Sequence, residues 1–184
     1  MKYIQRYHTP EGFDDLVMDS DGSVLTGLWF EGSRDTECVF ETSEGTSFPA
    51  VFSDTCRWLD VYFSGRQPDF IPAYRMEGLT PFRNQVSDIM LEIPFGQTVT
   101  YGEIARRIVE TIQETSLRPI KMSAQAVGGA VGWNPIGLIV PCHRVVGAKG
   151  NLTGYGGGMH NKIALLRHEG NDMRRFVFLD KDGL

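Results

Sequence analysis

Ile136-Gly137-Leu138-Ile139-Val140-Pro141-Cys142-His143-Arg144-Val145-Val146 sets a thiol, an imidazole and a guanidinium between two apolar runs. The flanking runs call for burial, so the polar residues between them read as a reactive cluster on a rigid support. Cysteine attacks as its thiolate, which cationic or hydrogen-bonding neighbours favour, and His143 and Arg144 are the local candidates for that task. The plainer alternative is that Cys142 is a small buried hydrophobe, a common fate of free cysteine.

Outward from this stretch the pattern is helical. Upstream, Ser123 can cap a helix running to about Gly132, and Thr100-Tyr101-Gly102-Glu103 is a capping box that opens another running to about Glu110. Residues 111 to 122 between them, which include Pro119, exceed the tight turn of a minimal helix-turn-helix. Thr80 followed by Pro81 starts an earlier helix, in which Phe82, Val86, Ile89, Met90 and Ile93 keep helical spacing until Pro94. Downstream, a helix from about His160 turns Ile163 and Leu166 inward and stops at Gly170, and Arg175 to Leu179 suits a terminal strand. Glu169 falls in the last turn of that helix, where the macrodipole disfavours a carboxylate by about 0.3 to 1 kcal/mol. A specific partner elsewhere would explain its position; a solvated surface glutamate is the alternative.

The first part of the chain reads differently. Tyr3–Tyr7, Leu16–Asp19 and Leu25–Phe30 have strand character, with Asp19-Ser20-Asp21-Gly22 as a turn between the last two. Ser53 or Asp54 can cap a helix with Cys56, Leu59, Tyr62 and Phe63 on one face and Gly65 beyond its end. Gly65 to Leu79, with Pro68 and Pro72, reads as an extended linker. Charge changes sign just beyond it: residues 1 to 81 hold 6 basic and 14 acidic side chains, residues 82 to 184 hold 12 and 9, and Tyr101 to Arg167 holds 8 and 3. The expected class is α+β. Residues 1–80 form a small acidic domain, an antiparallel sheet with a covering helix; residues 81–184 form a mainly helical domain with a helix-turn-helix, winged-helix-like motif.

With 41% hydrophobic and 22% charged residues the chain has the composition of a packed globular protein. No apolar run approaches the roughly 18 residues needed to span a bilayer, and Met1-Lys2-Tyr3-Ile4-Gln5-Arg6 lacks a signal-peptide core, so no membrane partner and a cytoplasmic location are expected, nucleoid-associated in a bacterium. Cys38, Cys56 and Cys142 form neither a disulfide framework nor a C-x-x-C pair, and His8, His143, His160 and His168 add no ligand spacing, so no metal is assigned. No G-x-G-x-x-G is present and no Walker lysine follows the glycines at 154 to 158, so no cofactor is assigned either.

Pro141-Cys142-His143-Arg144-Val145-Val146-Gly147 resembles, residue for residue, the active-site signature of the O6-alkylguanine-DNA alkyltransferases, also called methylated-DNA-protein-cysteine methyltransferases. The resemblance extends to Asn134-Pro135, to Ala126-Val127-Gly128-Gly129-Ala130, to Tyr101, to Gly154-Tyr155-Gly156-Gly157 and to His168-Glu169-Gly170. It is close from Phe82 to Gly170 and only general over residues 1 to 81. It implies that Cys142 accepts an alkyl group, that His143 acts through a water as its base, that Glu169 orients the histidine, and that Asn134 belongs with them. It further implies a base pocket of Tyr101, Val140, Pro141, Tyr155, Gly156 and Gly157, and a DNA-facing set of Ser123, Gln125, Ala126, Gly128 and Arg144. The implied partner is duplex DNA bound by a monomer. The substrate is O6-alkylguanine, with O4-alkylthymine left open, rotated out of the stack at a cost of a few kcal/mol. The product is a thioether that nothing in the sequence could cleave, so each molecule acts once. Two departures stand out: Gln125 occupies the position of the family's intercalating arginine, and the connection between Tyr101 and Gln125 is longer, with Arg118 and Lys121 available for extra DNA contacts.

Three rival readings remain at this point: a module that binds damaged guanine without transfer, against which Cys142 speaks; a cysteine hydrolase, for which no oxyanion-hole motif is visible; and a transcription regulator, for which the chain shows no additional DNA-binding domain and no cysteine-rich metal site.

Overall fold

The computed structural model describes residues 2–33, 49–113 and 121–178. Its amino-terminal sheet consists of β1 (Tyr3–Tyr7), β2 (Leu16–Ser20) and β3 (Leu25–Phe30), antiparallel in the order β1-β2-β3. Tyr3 pairs with Ser20 and Tyr7 with Leu16 across the first ladder, and Leu16 pairs with Phe30 across the second. Strand β2 runs one residue past its expected end, to Ser20, which pairs with Tyr3, and its ladder with β3 shifts register between Asp19 and Ser20.

Helix α1 (Ala50–Phe63) lays Phe52, Trp58, Leu59 and Tyr62 against this sheet and the core. It begins earlier than Ser53 or Asp54, which both lie within it: Pro49 is the flanking residue and offers no side-chain cap. The reason is hydrophobic. Val51 and Phe52 are both buried, which extends the apolar stripe a turn toward the amino terminus, so burial outweighs the capping signal. Gly65, with φ 82°, stands just beyond the helix as expected.

Residues 65 to 79, read as an extended linker, contain turns at both ends and are docked rather than loose. Leu25 N–H donates to Ala73 O and Arg75 N–H donates to Leu25 O, each at 2.9 Å, which docks the segment on β3. The sheet also grips the reactive stretch: Leu28 N–H donates to Pro135 O at 2.8 Å, and Gly137 N–H donates to Leu28 O at 2.7 Å. One hydrophobic core accordingly joins Leu16, Phe30 and Tyr62 to Val86, Ile104, Val127 and Val140.

The remaining helices are α2 (Pro81–Leu91), α3 (Tyr101–Gln113), α4 (Ala124–Gly132) and α5 (Met159–His168). Their caps follow the sequence signals. Arg83 N–H donates to Thr80 Oγ1 at 3.3 Å, Ala126 N–H to Ser123 Oγ at 3.1 Å, and Thr100 and Glu103 bond reciprocally, with Thr100 N–H to Glu103 Oε2 at 2.7 Å and Glu103 N–H to Thr100 Oγ1 at 3.1 Å. Helix α3 runs past Glu110 because Ile112, one turn beyond the buried Ile108, still packs on the core. Helices α3 and α4 pack on one another as a helix-turn-helix variant with α2 behind them. Arg118 and Pro119 lie outside the described residues, as do Cys38 and Leu179; Lys121 is exposed.

Two short parallel pairings complete the fold. Strand β4 (Val99–Thr100) pairs with β5 (Val145–Val146), which ties the start of α3 to the residues just after Cys142-His143-Arg144. Strand β6 (Asn151–Leu152) pairs with β7 (Val177–Phe178). The terminal strand is shorter at its start than expected, because Asp172 caps a 3-10 turn over Met173–Arg175 that takes Arg175 out of it. No helix among the described residues is long and apolar enough to cross a membrane.

Candidate active site

Cys142 begins a 3-10 turn, Cys142–Arg144, that follows a buried apolar run as expected. In so tight a turn successive side chains diverge, and their fates differ. Cys142 faces a cavity of about 500 Å³, within the size range of small-molecule sites, whereas His143 and Arg144 point into the protein and are buried.

The thiol is held by Asn134. Ile136 N–H donates to Asn134 Oδ1 at 3.0 Å, which settles which way the amide faces, so Nδ2 donates to Val140 O at 2.7 Å and to Cys142 Sγ at 3.2 Å. Burial pushes the Cys142 thiol up from its ordinary value, against the opposing pull of Asn134, the Lys162 ammonium and nearby backbone N–H groups. The resting group is therefore a thiol, and attack by sulfur needs a base to take its proton.

His143 follows Cys142 in the chain. Its Nε2 lies 2.8 Å from Glu169 Oε1. Burial alone would push the Glu169 carboxyl up, but His143 and Arg144 outweigh it and hold the group well below the usual carboxylate range. An ionised carboxylate only accepts, so His143 Nε2 carries the hydrogen and Nδ1 keeps the lone pair. Nδ1 has no hydrogen-bond partner among the described residues. Burial also lowers the proton affinity of the ring, which leaves a neutral imidazole.

Glu169 directly follows α5, and its position against the helix dipole is explained by the partners it meets. Arg144 Nε–H donates to Oε2 at 3.0 Å and Nη2–H to Oε1 at 2.9 Å, while Arg144 Nη1–H donates to Ile93 O at 2.7 Å. Arg144 therefore does not belong to a DNA-facing set: it is 4% exposed and its charge is spent on Glu169.

The cavity is walled by Tyr101 of α3, Gly128 of α4, Asn134, the loop of Tyr155, Gly156 and Gly157, and Trp29 and Phe30 of β3. The loop must be glycine at 157, since a Cβ there would lie 2.7 Å from the Phe30 ring and 2.8 Å from the Tyr155 ring. Val140 and Pro141 depart from expectation. They are buried and do not line the cavity; Val140 contributes its carbonyl to Asn134 instead. Gly128 faces the cavity and Tyr101, whereas Ser123, Gln125 and Ala126 are exposed on the outer side of α4.

Three participants escaped the sequence reading in this role. Tyr62, read only as part of the inner face of α1, donates its hydroxyl to Glu169 Oε1 at 2.9 Å. Gly96, with φ 77°, donates its N–H to Glu169 Oε2 at 3.0 Å, and a Cβ there would sit 2.8 Å from Glu169 O. Lys162 is fully buried, donates to Val145 O at 2.7 Å, and has a proton affinity lowered by burial to a pKa of about 8. Its spacing to Leu165 and Leu166 places it on the buried face of α5, which helical periodicity alone could have flagged. Among the described residues no group of three or more His, Cys, Asp or Glu could hold a metal ion.

Residues 81–171 match the family model of the DNA-binding domain of 6-O-methylguanine DNA methyltransferase. The chain is 42% identical over 156 residues to the methylated-DNA–protein-cysteine methyltransferase of Mycobacterium tuberculosis, covering 84% of this chain and 85% of that one. It is 36% identical to the enzyme of the same name from Methanosarcina acetivorans, covering 92% of this chain and 99% of that one. Its fold is similar to that of Mycobacterium tuberculosis OGT in complex with DNA, with a TM-score of 0.72 at 37% identity over 95% of this chain and 94% of that one. A cysteine held by an asparagine on the wall of a cavity, with a buried histidine–carboxylate pair next to it in the chain, thus occurs in a chain that belongs to the methylated-DNA–protein-cysteine methyltransferase family.

Proposed function

We propose that the chain repairs DNA by direct reversal, moving the alkyl group of O6-alkylguanine in duplex DNA onto Cys142 in a single irreversible turnover. The observation that carries this reading is the position of Cys142 Sγ: it faces a cavity large enough for a flipped base, with Asn134 Nδ2–H donating to it from 3.2 Å. His143 Nδ1 takes the thiol proton through a water, and Glu169 keeps the imidazole in the tautomer that can accept it. Sulfur then attacks the alkyl carbon and displaces guanine O6; the S–C bond forms as the C–O6 bond breaks, and the departing guanine takes up a proton that balances the one lost by the thiol. Asn134 Nδ2–H and the Lys162 ammonium favour the thiolate along the way.

Tyr101, Tyr155, Gly156 and Gly157 enclose the base, and the exposed face of α4 with Ser123, Gln125 and Ala126 meets DNA. Gln125 enters the gap in the stack. Residues 81–184 carry the chemistry and the DNA contacts, while residues 1–80 form the acidic module that closes the cavity through Trp29 and Phe30. The protein acts as a monomer in the cytoplasm or nucleoid, without a cofactor, because the alkyl group comes from the DNA itself.

Incubation with a duplex containing O6-methylguanine, followed by peptide mass analysis, tests this. The expected result is one methyl group on Cys142 and one equivalent of repaired guanine per protein. An unmodified Cys142 in folded, reduced protein, or continued turnover past one equivalent, would overturn it.

A further inference from the structure

Glu169 is surrounded more completely than an orienting carboxylate requires. Its two oxygens receive Tyr62 O–H at 2.9 Å, His143 Nε2–H at 2.8 Å, Gly96 N–H at 3.0 Å, and Arg144 through Nε–H at 3.0 Å and Nη2–H at 2.9 Å. Five donors saturate the roughly four lone-pair sites of a carboxylate. Four of them come from the carboxy-terminal half; Tyr62 comes from α1 in the amino-terminal half.

Packing does not call for that hydroxyl. The Tyr62 ring stacks on Trp58 at 5.4 Å and meets Phe63, His168 and Phe95 at 5.3, 5.5 and 5.7 Å, contacts a phenylalanine would make equally well. A fully buried phenol adds a desolvation cost unless it is paired, and here it is paired with Glu169 while lying 3.4 Å from His143 Nε2. Hemmed in on all sides, the ring aims its O–H with little freedom to turn.

Resting on the reading of Cys142 as the alkyl acceptor, we infer that Tyr62 is a positioning residue for alkyl transfer: its hydroxyl fixes Glu169, and through it the His143 ring, in the arrangement that leaves Nδ1 to take the thiol proton. The amino-terminal module is then part of the catalytic centre rather than only a wall of the cavity. The charge that Glu169 places on His143 is shared with this donor. Removing the hydroxyl directs more of that charge to His143, favours imidazolium, and withdraws the neutral base at a higher pH. The other charged or titratable groups around the pair are Arg144 and Cys142 on the same turn, Lys162 and His168 on α5, and Tyr155 on the glycine loop.

The test is the pH dependence of single-turnover methyl transfer for Tyr62→Phe and for protein carrying 3-fluorotyrosine at position 62, a stronger donor of nearly the same shape. Tyr62→Phe is expected to transfer about tenfold more slowly at neutral pH, with the acid limb of its profile moved up by about one pH unit and DNA affinity unchanged. Fluorotyrosine is expected to move the same limb down, and nitrogen NMR of the His143 ring to follow both shifts. A Tyr62→Phe protein of lowered thermal midpoint but wild-type profile would reduce the hydroxyl to a structural role and overturn the inference. Should that variant not fold, the fluorotyrosine protein decides alone, and an unmoved profile rejects the inference. Failure of the wild-type protein to methylate Cys142 would instead sink the functional reading, which separates the two failures.

Discussion

The site around Glu169 and the outer face of α4 are both polar, but their groups find partners in opposite places. Glu169, His143 and Arg144 are buried, and their bonds are made within the protein to Tyr62, Gly96 and Ile93. Ser123, Gln125 and Ala126 are exposed, and apart from the cap that Ser123 gives α4 their side chains are turned to solvent. Groups of the first kind are fixed before substrate arrives, so changes there act on the rate of chemistry and on stability. Groups of the second kind take their partners from outside, so changes there act on affinity.

The sharpest way to separate the two regions is Cys142→Ala, which removes the acceptor while leaving α4 untouched. Methyl transfer should fall to nothing, whereas duplex affinity measured by fluorescence anisotropy should stay within a few-fold. A large loss of affinity would mean that the cavity and the helix face are not separable.

Glu169→Gln comes next, and it should strike both rate and stability. It removes a charge from a buried pair with Arg144, a change that typically costs about 3 to 5 kcal/mol because the remaining charge is stranded. Transfer should slow by at least about a hundredfold as the His143 tautomer loosens. The sign of the acid dependence follows from the depressed folded-state proton affinity of Glu169. Its stabilisation is present above the unfolded value near pH 4.3 and is lost as pH falls toward the folded value. Urea titrations should therefore show the variant with a flatter stability curve below about pH 4.3 than the wild type; equal slopes would count against the buried ion pair.

A smaller effect is expected of Asn134→Ala. It deletes the donor to Cys142 Sγ and to Val140 O, and the thiol, already pushed up by burial, should rise further. Transfer should slow by about tenfold, with the basic end of the rate profile displaced to higher pH because the thiolate forms later. An unchanged profile would remove Asn134 from the chemistry.

How much of this was visible in the sequence depends on how far apart the partners lie along the chain. The α+β class followed from local signals: strand-like runs at Tyr3–Tyr7 and Leu25–Phe30, capping boxes and caps at Thr80, Thr100 and Ser123, and a glycine past α1. The cysteine stood out because a polar triplet interrupts an apolar run. What failed, failed for stated reasons. The family resemblance puts Arg144 in a DNA-facing set, yet the 3-10 turn buries its side chain while Cys142 faces the cavity. The same resemblance puts Val140 and Pro141 at the cavity wall, where neither is found. The start of α1 was misplaced because a buried Val51 and Phe52 mattered more than a capping side chain. Tyr62 meets Glu169 across 107 residues and Gly96 meets it across 73, and no periodicity encodes such contacts.

Gln125→Arg gives the smallest expected effect and probes the other side of the comparison. Gln125 is exposed on α4, and an arginine there adds one cation that can meet phosphate or stack in the gap left by a flipped base. Affinity for duplex DNA should tighten by a few-fold to about tenfold at low salt, and the slope of log affinity against log salt should steepen by about one. Transfer at saturating DNA should change far less, because the bonds of His143 and Glu169 lie within the protein and the substitution leaves them intact. Salt-dependent anisotropy against single-turnover rates distinguishes the two. A steeper slope with an unaltered rate assigns α4 to binding alone, whereas no change at any salt concentration means that Gln125 does not face DNA and that another surface supplies the contacts.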